Sequence, residues 1–201
     1  MSKIPFDLTT WNRKEHFHHY LNTVSCRYGM TVNLDITLLR AALKKRNYKL
    51  YPAVIHLLSR CVNQHKEFRM ILDQHDQLYY FDLLNPSYTI FHADDETFSS
   101  TWTQYDPSFP AFYQNYLDDM QQYGNNHGML ARAPFPEFHL ALPDPRRFLL
   151  PIFTFGKYFE QDGKILLPLS VQVHHAVCDG FHLCRFVNEC QQLADQCEAW
   201  L

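Results

Sequence analysis

The segment Gly163 to His182, "GKILLPLSVQVHHAVCDGFH", decides how the chain is read. An apolar run ends at His174 and His175, and Asp179-Gly180 then opens a helical pattern. Beyond Gly180 the apolar positions Leu183, Phe186, Val187, Cys190, Leu193, Ala194 and Cys197 recur at three- and four-residue steps, the period of a helix with one buried face. Upstream, "FLLPIFTFGKY" and "GKILLPLSVQV" read as a hairpin turning at Gln161-Asp162-Gly163. The segment is therefore a buried strand that passes into a long terminal helix.

Working outward, "WNRKEHFHHYL" after Thr10 reads as a first helix, with Trp11, Phe17, Tyr20 and Leu21 on one stripe. An extended segment near Val24 to Val32 leads to Asp35, whose carboxylate is placed to cap "ITLLRAALKKR". A mostly buried helix starts at Pro52 and runs through "PAVIHLLSRCVNQH". The runs "FRMIL", "QLYYFD", "YTIFH" and "TFSSTW" are rich in β-branched and aromatic residues and read as successive antiparallel strands. "SFPAFYQNYLDDMQQY" then resumes a helical period. Strands in the middle with helices at both ends predict an α/β fold, a two-layer sandwich of a mixed, largely antiparallel sheet packed with helices. With no repeat and no linker, residues 1–201 read as a single domain.

Composition narrows the function. The chain is 46% hydrophobic and 15% aromatic, enough for a packed core, while a net charge of −3 offers no basic field for nucleic acid or an anionic membrane. No apolar run approaches the roughly 20 residues that span a bilayer, and the start "MSKIPFDLTTW" lacks the layout of a secretory signal. A cytoplasmic protein with no membrane partner is expected. The six cysteines contain no CxxC pair and read as reduced thiols; Cys184, Cys190 and Cys197 are placed on nearly one helix face, as buried small hydrophobes.

The junction concentrates the chemistry. Successive strand residues point to opposite faces, so one of His174 and His175 faces a cleft. A neutral imidazole there can take a proton from a substrate hydroxyl, contributing about 10²- to 10⁴-fold as general base. Asp179 is placed to orient the ring or to hold the loop through an ion pair. His174, His175, Cys178, Asp179 and His182 are all of metal-ligand type, but they straddle a turn without a second cluster at ligand spacing, and no metal is expected. The run His16 to His19 reads as solvated or core-edge histidines on a helix.

The string "HHAVCDGFH", reduced to HHxxxDG, resembles the active-site signature of the chloramphenicol acetyltransferases and of the wider CoA-dependent acyltransferases. The segments "WNRKEHF", "LDIT", "YPAVIHLLSR", "EFRM", "FHADDETFSS", "FTFGKY" and "LLPLSVQVHHAVCDGFH" resemble family segments in family order, over most of the chain. The resemblance implies a homotrimer with active sites at subunit interfaces, acetyl-CoA entering from one side and a small hydroxyl acceptor from the other, and a role in antibiotic resistance. It implies His175 as the general base in a ternary complex, Asp179 paired with Arg13, and Thr154 holding a water near the tetrahedral intermediate. Lys157 and Tyr158 match the CoA side; Tyr20, Cys26, Tyr28, Phe98 and Ser100 match positions lining the acceptor pocket.

The pattern breaks in one place. A family motif resembling S-A-x-P-W carries a serine that donates to the developing oxyanion, and the nearest match here, "HLALPDP", puts Leu140 at that position and Asp144 in place of the tryptophan. Only "RRFLL" separates Pro145 from Pro151, about a dozen residues fewer than the family has. Ser99, Ser100, a water on Thr154 or a backbone amide are candidate substitutes. Three readings follow: an O-acetyltransferase of chloramphenicol or a related acceptor, an acyltransferase with another acceptor, and a silent binding or assembly protein on the same scaffold.

Overall fold

The computed structural model describes residues 1–133 and 144–201. The junction segment forms strand β9 (Lys164–His174) and helix α5 (Gly180–Asp195). β9 is the centre of its sheet: β2 (Arg27–Asp35) pairs with it on one side, β7 (Ile152–Phe155) and β8 (Phe159–Gln161) on the other, all antiparallel. The turn from β8 into β9 has Asp162 at φ 51° and Gly163 at φ 76°. Two left-handed residues match the twist of the flanking strands, which is why Asp-Gly sits there.

The remaining strands form two smaller sheets. β1 (Lys3–Pro5), β4 (Leu78–Phe81) and β3 (Met70–Leu72) make one, and β5 (Ser87–His92) pairs with β6 (Thr97–Trp102) in the other. Every pairing of named strands is antiparallel. The four middle runs are strands as expected, but they divide between separate sheets, and "FRMIL" begins as a 3₁₀ turn over Lys66–Arg69.

Helices cover one side of the β9 sheet. α2 (Thr37–Arg46), α3 (Leu50–Gln64) and α5 share a core with its inner face, where Leu34, Leu167, Leu169, Val171 and Val173 meet Leu39, Leu57, Cys61, Phe186 and Cys190. Phe186 is fully buried, a burial that stabilises by about 1.5–3 kcal/mol. α4 (Phe109–Tyr123) adds Phe109 and Phe112. α3 starts two residues before Pro52, which occupies its first turn. Asp35 sits two residues before α2, next to the N-cap Ile36, its Oδ1 accepting from the Thr37 amide at 3.1 Å and the Thr37 hydroxyl at 2.6 Å.

Two expectations need correction. The first helix is α1 (Lys14–His18), and the chain continues through His19–Thr23 as a π-helical turn, closed by the Val24 amide on the His19 carbonyl. Cys184 is exposed while Cys190 and Cys197 are buried. Seven residues return to the same helix face at 100° per residue, but six fall about 120° away.

Candidate active site

The junction divides its two histidines as strand alternation requires. His174 is 1% exposed: its Nε2–H donates to the Arg146 carbonyl at 2.9 Å and its Nδ1 accepts from the Ala176 amide at 3.1 Å. Both nitrogens are occupied and the ring is neutral, its pKa lowered by burial. His175 is half-buried. Its Nδ1 lies 3.1 Å from the Cys178 carbonyl, an acceptor only, so this nitrogen carries the proton. In the neutral ring the lone pair is then on Nε2. The ring is stacked on Tyr20, centroids 3.9 Å apart at 10°, and Tyr28 packs at 5.0 Å. The π-helical turn that overturns the straight-helix expectation is the segment that carries Tyr20, and such turns recur at functional sites.

Asp179 organises the bend. Its Oδ1 accepts from the Phe181 amide at 3.0 Å and weakly from the His182 amide at 3.4 Å, capping α5. His182 Nδ1 is 2.7 Å from the same oxygen and 3.2 Å from the Asp179 amide nitrogen. One ring nitrogen cannot donate and accept at once, and the shorter contact makes it the donor to the carboxylate. The other carboxylate oxygen is ion-paired with Arg13, whose second terminal nitrogen reaches the His175 carbonyl at 3.4 Å. Burial pushes the Asp179 carboxyl up, but the His182 hydrogen bond and the His182 and Arg13 charges outweigh it and hold the pKa below the ordinary value. The pair thus ties residue 13 to both ends of the turn that aims His175.

The other predicted residues distribute unevenly. Cys26 contributes through its backbone, its carbonyl accepting from the His175 amide at 2.9 Å. Tyr28 has a buried hydroxyl with no partner among the described residues, and burial raises its pKa. Phe98 and Ser100 lie on β6, in a different sheet from His175. Thr154 pairs with Ser170, five positions before His175, which at about 3.4 Å per residue places it roughly 17 Å along the strand. Tyr158 accepts from Arg40 at 3.1 Å beneath its guanidinium, and Lys157 is exposed between β7 and β8.

Of the substitutes for the missing serine, Ser99 is already engaged. It is buried, and its single hydroxyl proton goes to the Asn126 carbonyl at 2.8 Å. Leu140 lies outside the described residues. Asp144 is described and binds Arg146, with contacts of 2.9 and 3.0 Å to its two oxygens. Pro145–Arg147 forms a 3₁₀ turn, and among the described residues no named strand lies between Trp102 and Ile152.

Sequence reasoning did not find the backbone groups that fix the His175 tautomer and seat His174, because a carbonyl has no signature in side-chain identity. The Asp179 to His182 spacing was a legible signal, since an N-cap carboxylate reaches the residue three positions on. Among the described residues no helix is long and apolar enough to cross a membrane.

The family model described as chloramphenicol acetyltransferase matches residues 1–191. A chloramphenicol acetyltransferase of Clostridium perfringens is 50% identical, over 97% of this chain and 96% of the relative, and one of Staphylococcus aureus is 42% identical over 93% and 96%. The first alignment runs over 210 positions, more than the 201 residues of this chain, so that relative carries residues absent here. Among solved structures a chloramphenicol acetyltransferase superposes with a TM-score of 0.77 at 18% identity, covering 96% of this chain and all of the other. The dihydrolipoamide acetyltransferase of Azotobacter vinelandii follows the same fold, with a TM-score of 0.60 at 18% identity over 99% and 93%. The chain belongs to the chloramphenicol acetyltransferase family.

Proposed function

We propose that the protein transfers an acetyl group from acetyl-CoA to a hydroxyl of chloramphenicol or a related small acceptor, and so confers resistance to the drug, residues 1–201 acting as one cytoplasmic domain. The observation that carries this reading is the His175 tautomer. With Nδ1–H spent on the Cys178 carbonyl, Nε2 is free to take the acceptor's hydroxyl proton. The acceptor oxygen attacks the thioester carbonyl, and the tetrahedral intermediate collapses by breaking the carbon–sulfur bond. The CoA thiolate recovers the proton from the imidazolium, so no acetyl-enzyme forms. Arg13 and Asp179 act as positioning residues through the turn, and Tyr20 fixes the plane of the imidazole. Tyr28 supplies a hydroxyl whose burial without a partner is costly unless an acceptor meets it.

The site is assembled between copies of a homotrimer. The distance between Thr154 and His175 along one chain supports this, since a water on Thr154 lies too far along the sheet to serve the His175 of its own chain. In a three-fold ring, different faces of each subunit meet, so the Thr154, Lys157 and Tyr158 face of one copy can meet the His175 face of the next. The test is thiol release from acetyl-CoA with chloramphenicol and a panel of other hydroxyl acceptors, with native mass measured in parallel. Acceptor-dependent release by a trimer, lost in His175→Ala, is expected. Equal rates in the two proteins overturn the acyltransferase reading in favour of a binding or assembly role, and release only with other acceptors overturns chloramphenicol as substrate.

A further inference from the structure

The end of the β5–β6 hairpin gathers donors that play no part in the chemistry above. His92, the last residue of β5, stacks on His127 with ring centroids 4.0 Å apart, and Asp94 lies beside both. One nitrogen of each histidine and one Asp94 oxygen all fall within 4.8 Å of one another. His127 is 35 positions along the chain from His92, a separation that no ligand-spacing rule detects.

Hydrogen bonds set both rings in the ligating state. The Ser99 hydroxyl gives its only proton to the Asn126 carbonyl, so at its 2.8 Å contact with His92 Nε2 it must accept. His92 therefore carries its proton on Nε2 and its lone pair on Nδ1. His127 Nδ1 lies 3.0 Å from the Asp95 carboxylate and donates to it, while Asp95 is itself held by the Thr97 amide and hydroxyl at 3.1 and 2.7 Å. The lone pair of neutral His127 is then on Nε2, 3.6 Å from the Asp94 carboxylate. Two lone-pair-bearing atoms facing each other at that distance repel unless a proton or a metal ion lies between them. A histidine that donates its second ring nitrogen to a hydroxyl or carboxylate is the arrangement that orients metal ligands and makes them more basic.

We propose that His92, His127 and Asp94 bind a divalent transition-metal ion, zinc by the match of two imidazoles and one carboxylate to its ligand preference. His92 is 6% exposed and is the fixed ligand. The side chains of His127 and Asp94, 44% and 71% exposed, close onto the ion. Zinc bonds of about 2.0–2.2 Å require ligand atoms roughly 3.4 Å apart in a tetrahedron, so binding requires His127 to turn out of its stack on His92 and Asp94 to close with it. A water completes the fourth position. The ion would pin the 93–96 turn to the segment at Asn126–Gly128 and stiffen the hairpin that carries Phe98 and Ser100.

Cobalt(II) titration of the metal-stripped full chain, read by visible absorption, tests the site together with zinc calorimetry. One ion per chain is expected, with an absorption band of nitrogen coordination. His127→Ala and Asp94→Asn, both at exposed positions whose folding circular dichroism checks, should each weaken binding at least 10-fold. Ser99→Ala should weaken it by about 10- to 100-fold through the His92 ring. Failure of the wild type to saturate at one ion per chain overturns the proposal. So does retention of full affinity by His127→Ala.

Discussion

The turn from His174 to Gly180 and the connection from Asp144 to Pro151 lie against each other and are built on opposite principles. The turn is held by side chains: Asp179 caps α5 and receives His182 at short sequence range, and it pairs with Arg13 across 166 positions, so that each contact names its residue type. The connection is held by its backbone. His174 takes the Arg146 carbonyl, Arg27 takes the Phe148 carbonyl, and Arg147 pairs with Asp76. The turn's geometry rests on side-chain identities, whereas two of the connection's anchors, the Arg146 and Phe148 carbonyls, ignore identity and only the Arg147 pair depends on it. The departures from the family pattern fall at and just before the second region, and the imidazole proposed as the base sits in the first.

The largest test of this contrast is His175→Ala. Acceptor-dependent thiol release should fall by about 10²- to 10⁴-fold, the range of a lost general base. A fall of less than 10-fold would move the chemistry away from the turn. Next comes the chloramphenicol rate itself. The resemblance puts Leu140 where the family carries a serine, and on that reading turnover should lie roughly 10²–10³ below that of serine-bearing relatives assayed side by side, the cost of one oxyanion donor. A rate equal to theirs would show that a group outside the motif donates in its place.

Asp179 separates the turn's two devices. Asp179→Ala removes the cap and the ion pair and should lower stability by about 2 kcal/mol in urea denaturation. Asp179→Asn keeps a capping oxygen and should cost about half as much, while its effect on turnover, through the aim of His175, should approach that of the alanine variant. If both variants lose stability equally, the ion pair and not the cap holds the turn.

The smallest effect is one of pH. His174 has a folded pKa below its ordinary value near 6.5, so the unfolded chain binds the proton first and stability falls as pH drops below that value. Protonation also turns Nδ1 from the acceptor of the Ala176 amide into a donor facing it. The slope contributed by one proton is at most about 1.4 kcal/mol per pH unit. His56, buried and pushed down to about 4, adds a slope of the same sign in any variant that retains it. Asp179, held below the ordinary carboxylate value, contributes stability that is present above about pH 4 and lost below it. Thermal melts from pH 7 to 5 should therefore be flatter in His174→Gln than in the wild type. Identical slopes would detach the first histidine from the connection's stability.

How much was legible follows from the same division. The β9 to α5 passage, the Asp-Gly turn and the buried faces of α3 and α5 are local periodicities, and their residues stand where those periods put them. The pairing of Arg13 with Asp179 was reachable only through the family resemblance, because 166 positions separate the two. The division of the strands into three sheets was not legible, since alternation identifies a strand without naming its neighbour. Cys184 was misplaced by treating a six-residue step as a full return on a helix. The π-helical turn under Tyr20 had no sequence signal, as one extra residue per turn changes no residue type.

His174 grips the connection through the Arg146 carbonyl, a group that every amino acid brings. Substitutions and deletions can therefore accumulate in front of β7 while the handle stays in place. The chain there can change in sequence and length without disturbing the imidazole next door.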